Sequence, residues 1–156
     1  MVQTRITNEW IVDRFDEIYP IYRIAFARLL VTLRQDFDGD LDAMVVLLTL
    51  SLGTDREGWA QALLGNHVAS TQSGVTNTQS IALASGIPRE TVRRKLLVME
   101  MRGWITRDEK GNWAPTPGAS KDLRASSQET ISFIRAIAAA AISAEPDRPQ
   151  NRPSPE

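Results

Sequence analysis

Gly86-Ile87-Pro88 sits between two stretches that both repeat at helical period, and a chain punctuated in this way has few folds open to it. Before it, residues 77–85 place Ile81, Ala82 and Ser85 on one side of a short helix, with Thr76 or Asn77 available as the N-cap. Gly86 stops that helix, because glycine turns the chain through a left-handed conformation at little cost, and Ile87 can pin the turn by packing inward. Pro88 opens the next helix, where its missing N–H would have had no partner and its fixed φ suits the first turn. From there Val92, Leu96 and Met99 recur at i, i+4 and i+7 as a buried stripe, and the opposite face carries Arg89, Glu90, Arg93 and Arg94. Gly103 ends this helix. Trp104-Ile105-Thr106 reads as a strand, Glu109-Lys110-Gly111-Asn112 as a turn and Trp113-Ala114 as the returning strand.

Helix, turn, helix and hairpin in that order resemble a winged helix-turn-helix DNA-binding domain. Arg89-Glu90-Thr91-Val92 followed by Arg94 is similar to the recognition helix of the cyclic-AMP-receptor type, with Gln79, Ile81 and Gly86 also in step, and GntR-type regulators share much of the pattern. The resemblance covers about a quarter of the chain. It implies that Arg89, Glu90 and Arg94 face base edges and that Thr91 sits at the boundary between the helix and the DNA backbone. Side-chain chemistry agrees independently. Arginine can bond guanine O6 and N7 bidentately, and a glutamate carboxylate can accept from cytosine N4. On this reading Arg89, Glu90, Arg93 and Arg94 read the major groove, Thr78 and Gln79 contact the DNA backbone, and Arg107, Lys110 and Asn112 meet phosphate or the minor groove.

Net charge alone argues the other way, since the 156 residues sum to −1. Distribution reverses the argument. Residues 75–113 hold seven basic side chains against four acidic ones, a local +3, which predicts modest non-specific affinity that dimerisation would double. The length suits one domain with extensions. Without cysteine there is neither a disulfide nor a thiolate metal site. The first residues lack an apolar signal core and no apolar run approaches the roughly 20 residues that span a bilayer, so no membrane role and a cytoplasmic location are expected. Nor does the sequence contain a nucleophile elbow, a phosphate loop, HExxH or paired histidines, so a non-enzyme with no cofactor and no catalytic or metal residues is expected.

Upstream, Thr7 can cap a helix beginning near Asn8 in which Trp10, Ile11, Phe15 and Ile18 form a stripe. Tyr19-Pro20 predicts a break or kink, because the residue before proline is pushed out of the α region, and a new helix over residues 21–36. That helix is apolar around much of its circumference (Ile21, Ile24, Phe26, Leu29, Leu30 and Leu33), which calls for burial on more than one side, in its own domain and against a second subunit. Residues 41–52 form another strongly apolar helix. The Asp36, Asp38, Asp40 spacing between them invites a calcium loop, but the sixth and twelfth places from Asp36 are Leu41 and Leu47 instead of Gly and Glu. Gly39 as a helix end and Asp40 as the next cap is the better reading. Residues 56–64 read as a short helix carrying Trp59, and the stretch around His67, Ser70 and Gly74 as a polar connection with a surface histidine.

Downstream, Thr116-Pro117-Gly118 resembles the end of the wing in MarR-type regulators, where the chain turns into a long helix, here residues 119–143. Its later half carries Ile131, Phe133, Ile134 and Ile137 and then four successive alanines, Ala138 to Ala141, whose small side chains let another helix approach closely. The prolines after Glu145 describe a disordered tail. The expected plan is therefore mainly α: N-terminal core and dimerisation helices over residues 1–64, a connection over 65–75, a winged helix-turn-helix with a short β-hairpin wing over 76–118, a dimerisation helix over 119–144 and a tail over 145–156. Flanking helices of this kind make a plan similar to MarR-type dimeric regulators, in which the terminal helices of both subunits interlock. The function that follows is a homodimeric transcription regulator binding double-stranded DNA at a pseudo-palindromic site, with half-sites roughly 34 Å apart. The alternative is a winged helix that docks a partner protein. A small-molecule effector would occupy a cavity between the apolar helices and residues 53–75 and shift the spacing of the recognition helices.

Overall fold

A computed structural model describes residues 6–53 and 77–144. The expected helix over 56–64, Trp59, His67, the polar connection and the C-terminal tail lie outside the described residues. The described elements are α1 (Asn8–Asp13), α2 (Phe15–Asp36), α3 (Leu41–Leu52), α4 (Thr78–Ser85), α5 (Arg89–Met101), β1 (Ile105–Arg107), β2 (Trp113–Pro115), α6 (Pro117–Asp122) and α7 (Arg124–Ser143). They are mainly helical with a two-stranded antiparallel sheet, and the described residues divide into two compact units, one of residues 6–29 and 130–144 and the other of residues 30–53 and 77–129. Among the described residues no helix is long and apolar enough to cross a membrane.

The central unit is built on the two helical patterns on either side of Gly86-Ile87-Pro88 and the hairpin that follows them. Asn77 caps α4 by accepting from Ser80 N–H at 2.9 Å, Gly86 closes it with φ +70°, and Ile87 packs partly buried against the core. Val92, Leu96 and Met99 of α5 are fully buried and meet Val46, Leu47 and Leu50 of α3, Ile81 of α4, and both hairpin tryptophans. A helix with one such stripe has its other face in solvent, and that face carries the arginines. Pro88 stands one place earlier than expected, as the N-cap of α5, and makes no side-chain capping bond.

The turn between α2 and α3 uses each of its three aspartates separately. Asp40 caps α3 through Ala43 N–H and takes an ion pair from Lys95, Asp38 takes one from Arg102 at 2.7 Å, and Asp36 accepts from both N–H and Oγ of Ser126 at 3.0 and 2.6 Å. This last contact bears on the expected single helix over residues 119–143, which is two helices. Thr116 and Pro117 start α6; Leu123 then leaves helical backbone to bury its side chain, and Asp36 caps the new N-terminus of α7 from across the unit.

In the other unit the helix break falls at Arg14 and not at Tyr19-Pro20, and α2 runs continuously through Pro20. Two causes are visible. Arg14 is held by its guanidinium to the Ala144 carbonyl at 2.8 Å and to the Trp10 carbonyl, and it stacks on the Trp10 ring, so the turn at its own backbone is fixed by side-chain bonds. Once the helix restarts at Phe15, Pro20 removes only the bond that Asp16 would have accepted, and Asp16 is exposed, so water can take its place. The expected four-residue stripe is split accordingly. Trp10 and Ile11 pack with Ile18, Ala140 and Ala144, while Phe15 is 52% exposed and starts a stack of rings, Phe15, Tyr19, Tyr22 and Phe26, spaced 4.8, 6.1 and 5.3 Å. Of the alanine run, Ala140 is the member buried against this core.

Close approach fixes the junction after the hairpin. A Cβ at Gly118 would lie 2.5 Å from the Gly103 carbonyl oxygen, which also accepts from the Thr116 hydroxyl. Gly118→Ala is therefore expected to destabilise the protein by about 1–3 kcal/mol, the range for forced overpacking, read as a lower urea midpoint. An unchanged midpoint would mean that the α6 start moves freely.

Candidate functional site

Three elements meet in a cleft of about 530 Å3 lined by Thr78 of α4, Arg89, Glu90, Arg93 and Leu97 of α5, and Arg107 and Trp113 of the hairpin. Sheet register explains the hairpin's share. Arg107 and Trp113 are directly opposed across the two strands, and the Arg107 guanidinium lies 5.2 Å from the Trp113 ring centroid. The indole is itself tied back, since its Nε1–H donates to Thr78 Oγ1 at 3.3 Å. Thr78 accepts in that bond and keeps its own hydroxyl hydrogen for another partner. A chain of three contacts thus fastens the hairpin to the start of α4 and aims a cation into the cleft.

On α5 the geometry is less uniform than the sequence implied. Glu90 and Arg93 form a bidentate pair, Arg93 Nε and Nη2 donating to the two carboxylate oxygens at 2.9 and 2.7 Å, with both side chains mostly exposed. The hydrogen bond from Arg93, with the charges of Arg93, Arg94 and Arg89 behind it, holds the Glu90 carboxyl below its usual range, and the same bond raises Arg93 further. Arg94 lies outside the cleft, one turn after Glu90 on the outward face; among the described residues neither it nor Arg89 forms an ion pair.

The cations are unevenly available. Lys95 and Arg102 point to the α2–α3 turn and are neutralised there by Asp40 and Asp38. Partial burial pushes the Asp40 carboxyl up, but the Lys95 and Ala43 hydrogen bonds and the nearby positive charges hold it below the usual range. Of the seven basic residues counted from sequence, two therefore serve the fold, one is paired on the surface, and Arg89, Arg94, Arg107 and Lys110 remain directed outward.

Among the remaining expected contacts, Gln79 is exposed on the first turn of α4 and Thr91 is half-buried on the first turn of α5, both outside the cleft lining. Lys110 sits at the hairpin turn with Arg107, Asp108, Glu109 and Gly111 around a shallow hollow. Asn112 helps to close the turn. Its backbone and side-chain N–H groups donate to Asp108 at 2.7 and 3.1 Å, which holds the Asp108 carboxyl below its ordinary range. Leu97 and Trp113 also line the cleft, beyond the residues expected from the sequence. Leu97 lies at i+4 from Arg93, which would have placed it there, whereas the Trp113 link to Thr78 spans 35 residues and leaves no local mark.

Among the described residues no group of three or more His, Cys, Asp or Glu side chains is placed to hold a metal ion. Comparison of the chain with protein-family models, curated proteins and solved structures found no match.

Proposed function

We propose that this chain is a winged helix-turn-helix protein acting as a sequence-specific, homodimeric regulator of transcription on double-stranded DNA. The observation that carries the reading is the cleft, in which Arg89, Arg93 and Arg107 and the Thr78 hydroxyl converge between an exposed helix face and a hairpin. Guanidinium groups in that arrangement suit base edges on one side and phosphates on the other. Arg89 and Arg94 then read bases from α5, and Arg107 and Lys110 follow the backbone from the hairpin. Dimerisation has its own support, because α2 and α7 leave Tyr19, Ile21, Ile24, Ile131, Ile134 and Ile142 exposed. Exposed apolar side chains in such number call for a partner surface, and a second copy supplies one.

One observation favours the second reading, a winged helix that docks a protein. The last turns of α5 expose Leu97, Val98 and Met101, the last at 80%, and α4 exposes Leu83. Groove recognition does not require these side chains.

Selection from a random duplex library at near-physiological salt tests the two together. The first reading expects enrichment of an inverted repeat containing G·C pairs, with centres roughly 34 Å apart, and a dimer in sedimentation. Salt-sensitive binding without enrichment, or a monomer at high micromolar concentration, would transfer support to protein docking.

A further inference from the structure

Glu90 and Arg93 stand in the cleft as a unit, and their geometry separates two roles that a sequence of basic and acidic side chains cannot. We propose, resting on the DNA-binding reading above, that Glu90 is a positioning residue: it acts on DNA through Arg93, fixing that guanidinium to read one guanine and withholding its charge from phosphates.

A guanidinium carries five N–H donors. Arg93 spends its Nε and one Nη2 hydrogen on Glu90, so the two Nη1 hydrogens and the second Nη2 hydrogen remain, on edges turned away from the carboxylate. Parallel donors on such an edge are what guanine O6 and N7 accept. Each carboxylate oxygen keeps a second lone pair, but with both oxygens bound to Arg93 the orientation of the carboxylate is set by that pair, so a contact to cytosine N4 would depend on Arg93.

Electrostatics points the same way. Glu90 is the one acidic side chain among the cleft-lining residues, and alone it would be repelled by a phosphate backbone. Paired with Arg93 it enters a groove as half of a neutral group. In solvent an exposed pair of this kind is weak, but displacement of water from a groove lowers the local dielectric and strengthens it. Arg89 and Arg107, which line the same cleft and form no ion pair among the described residues, keep their full charge for the backbone and the bases. Non-specific affinity then stays modest although three arginines face the cleft, as expected of a chain with net charge −1.

The test uses the full-length protein, the duplex that wild type selects from a random library, a panel of its single base-pair variants and a random-sequence duplex. Glu90→Gln is expected to release Arg93 to phosphate. Affinity for the random duplex rises severalfold, the log–log salt slope steepens by about two, roughly one for each protomer's released arginine, and discrimination at one G·C pair of each half-site falls roughly tenfold. Arg93→Gln should lose discrimination at that same pair, and Glu90→Gln/Arg93→Gln should lose no more there than Arg93→Gln alone. A merely structural defect would lower all affinities together and would not steepen the slope. The proposal is overturned if Glu90→Gln acts at a different base pair and adds to Arg93→Gln, which would make it an independent cytosine reader, or if Glu90→Gln leaves slope and profile unchanged. Failure of wild type to enrich any site overturns the DNA-binding reading itself, and this proposal with it, before a variant is made.

Discussion

Arg89→Glu combined with Arg94→Glu is expected to reduce affinity for the selected duplex by roughly a thousandfold or more. Each bidentate arginine–guanine contact contributes about 1–3 kcal/mol of discrimination, and replacing cations with anions adds repulsion from the phosphates. A dimer carries the change twice. The same substitutions should leave folding nearly untouched. Both side chains are exposed, neither forms an ion pair among the described residues, and surface changes of this sort usually shift stability by less than about 0.5 kcal/mol. Binding measured by fluorescence anisotropy, alongside urea unfolding of the same preparation, therefore separates a lost contact from a lost fold. The variant also divides the two functional readings. Protein docking through Leu97, Val98 and Met101 would survive it, since those side chains are apolar and lie on later turns of α5. Specific binding retained within a few-fold of wild type would remove Arg89 and Arg94 from the interface.

Local patterns were the legible part of this chain. Gly86 as a helix stop, Asn77 and Asp40 as caps and the Val92, Leu96, Met99 stripe each rest on spacings of a few residues and stand where the sequence puts them, while the hairpin forms with its first strand one place later, at Ile105–Arg107 instead of Trp104–Thr106. What escaped depends on groups brought together across long separations. Proline's restriction on Tyr19 predicts a break at Pro20, but the break falls at Arg14, whose guanidinium reaches a carbonyl 130 residues away. The split between α6 and α7 is likewise set by Asp36, 90 residues from the serine it caps. The site shows the same division. Periodicity puts Arg89, Glu90, Arg93 and Arg94 on the outward side of one helix, whereas only the fold pairs Glu90 with Arg93, diverts Lys95 and Arg102 to the α2–α3 turn and ties Asn112 to Asp108 in the hairpin.

Leu96→Ala is expected to destabilise the protein by about 2–5 kcal/mol, the range for a fully buried leucine whose cavity cannot collapse. Leu96 has no exposed surface, and its core cluster includes buried groups of α3, α4, α5, α6 and both strands, among which α3 and α5 are braced by the Asp40–Lys95 pair and the hairpin and α4 by the Trp113–Thr78 bond. Bracing of that kind keeps the walls in place, so the removed volume persists as a void. A loss of this size is a large share of the roughly 5–15 kcal/mol that separates folded from unfolded states in a domain. The control is one residue away. Leu97 is 36% exposed and on the cleft side of the same helix, so Leu97→Ala removes the same atoms without a sealed cavity and should cost well under half as much. Equal urea midpoints for the two variants would contradict the orientation of α5, and with it the assignment of Arg89, Arg93 and Leu97 to one open face. A large difference fixes that face by stability alone, without any reference to DNA, and makes the binding and folding experiments independent witnesses to the same helix.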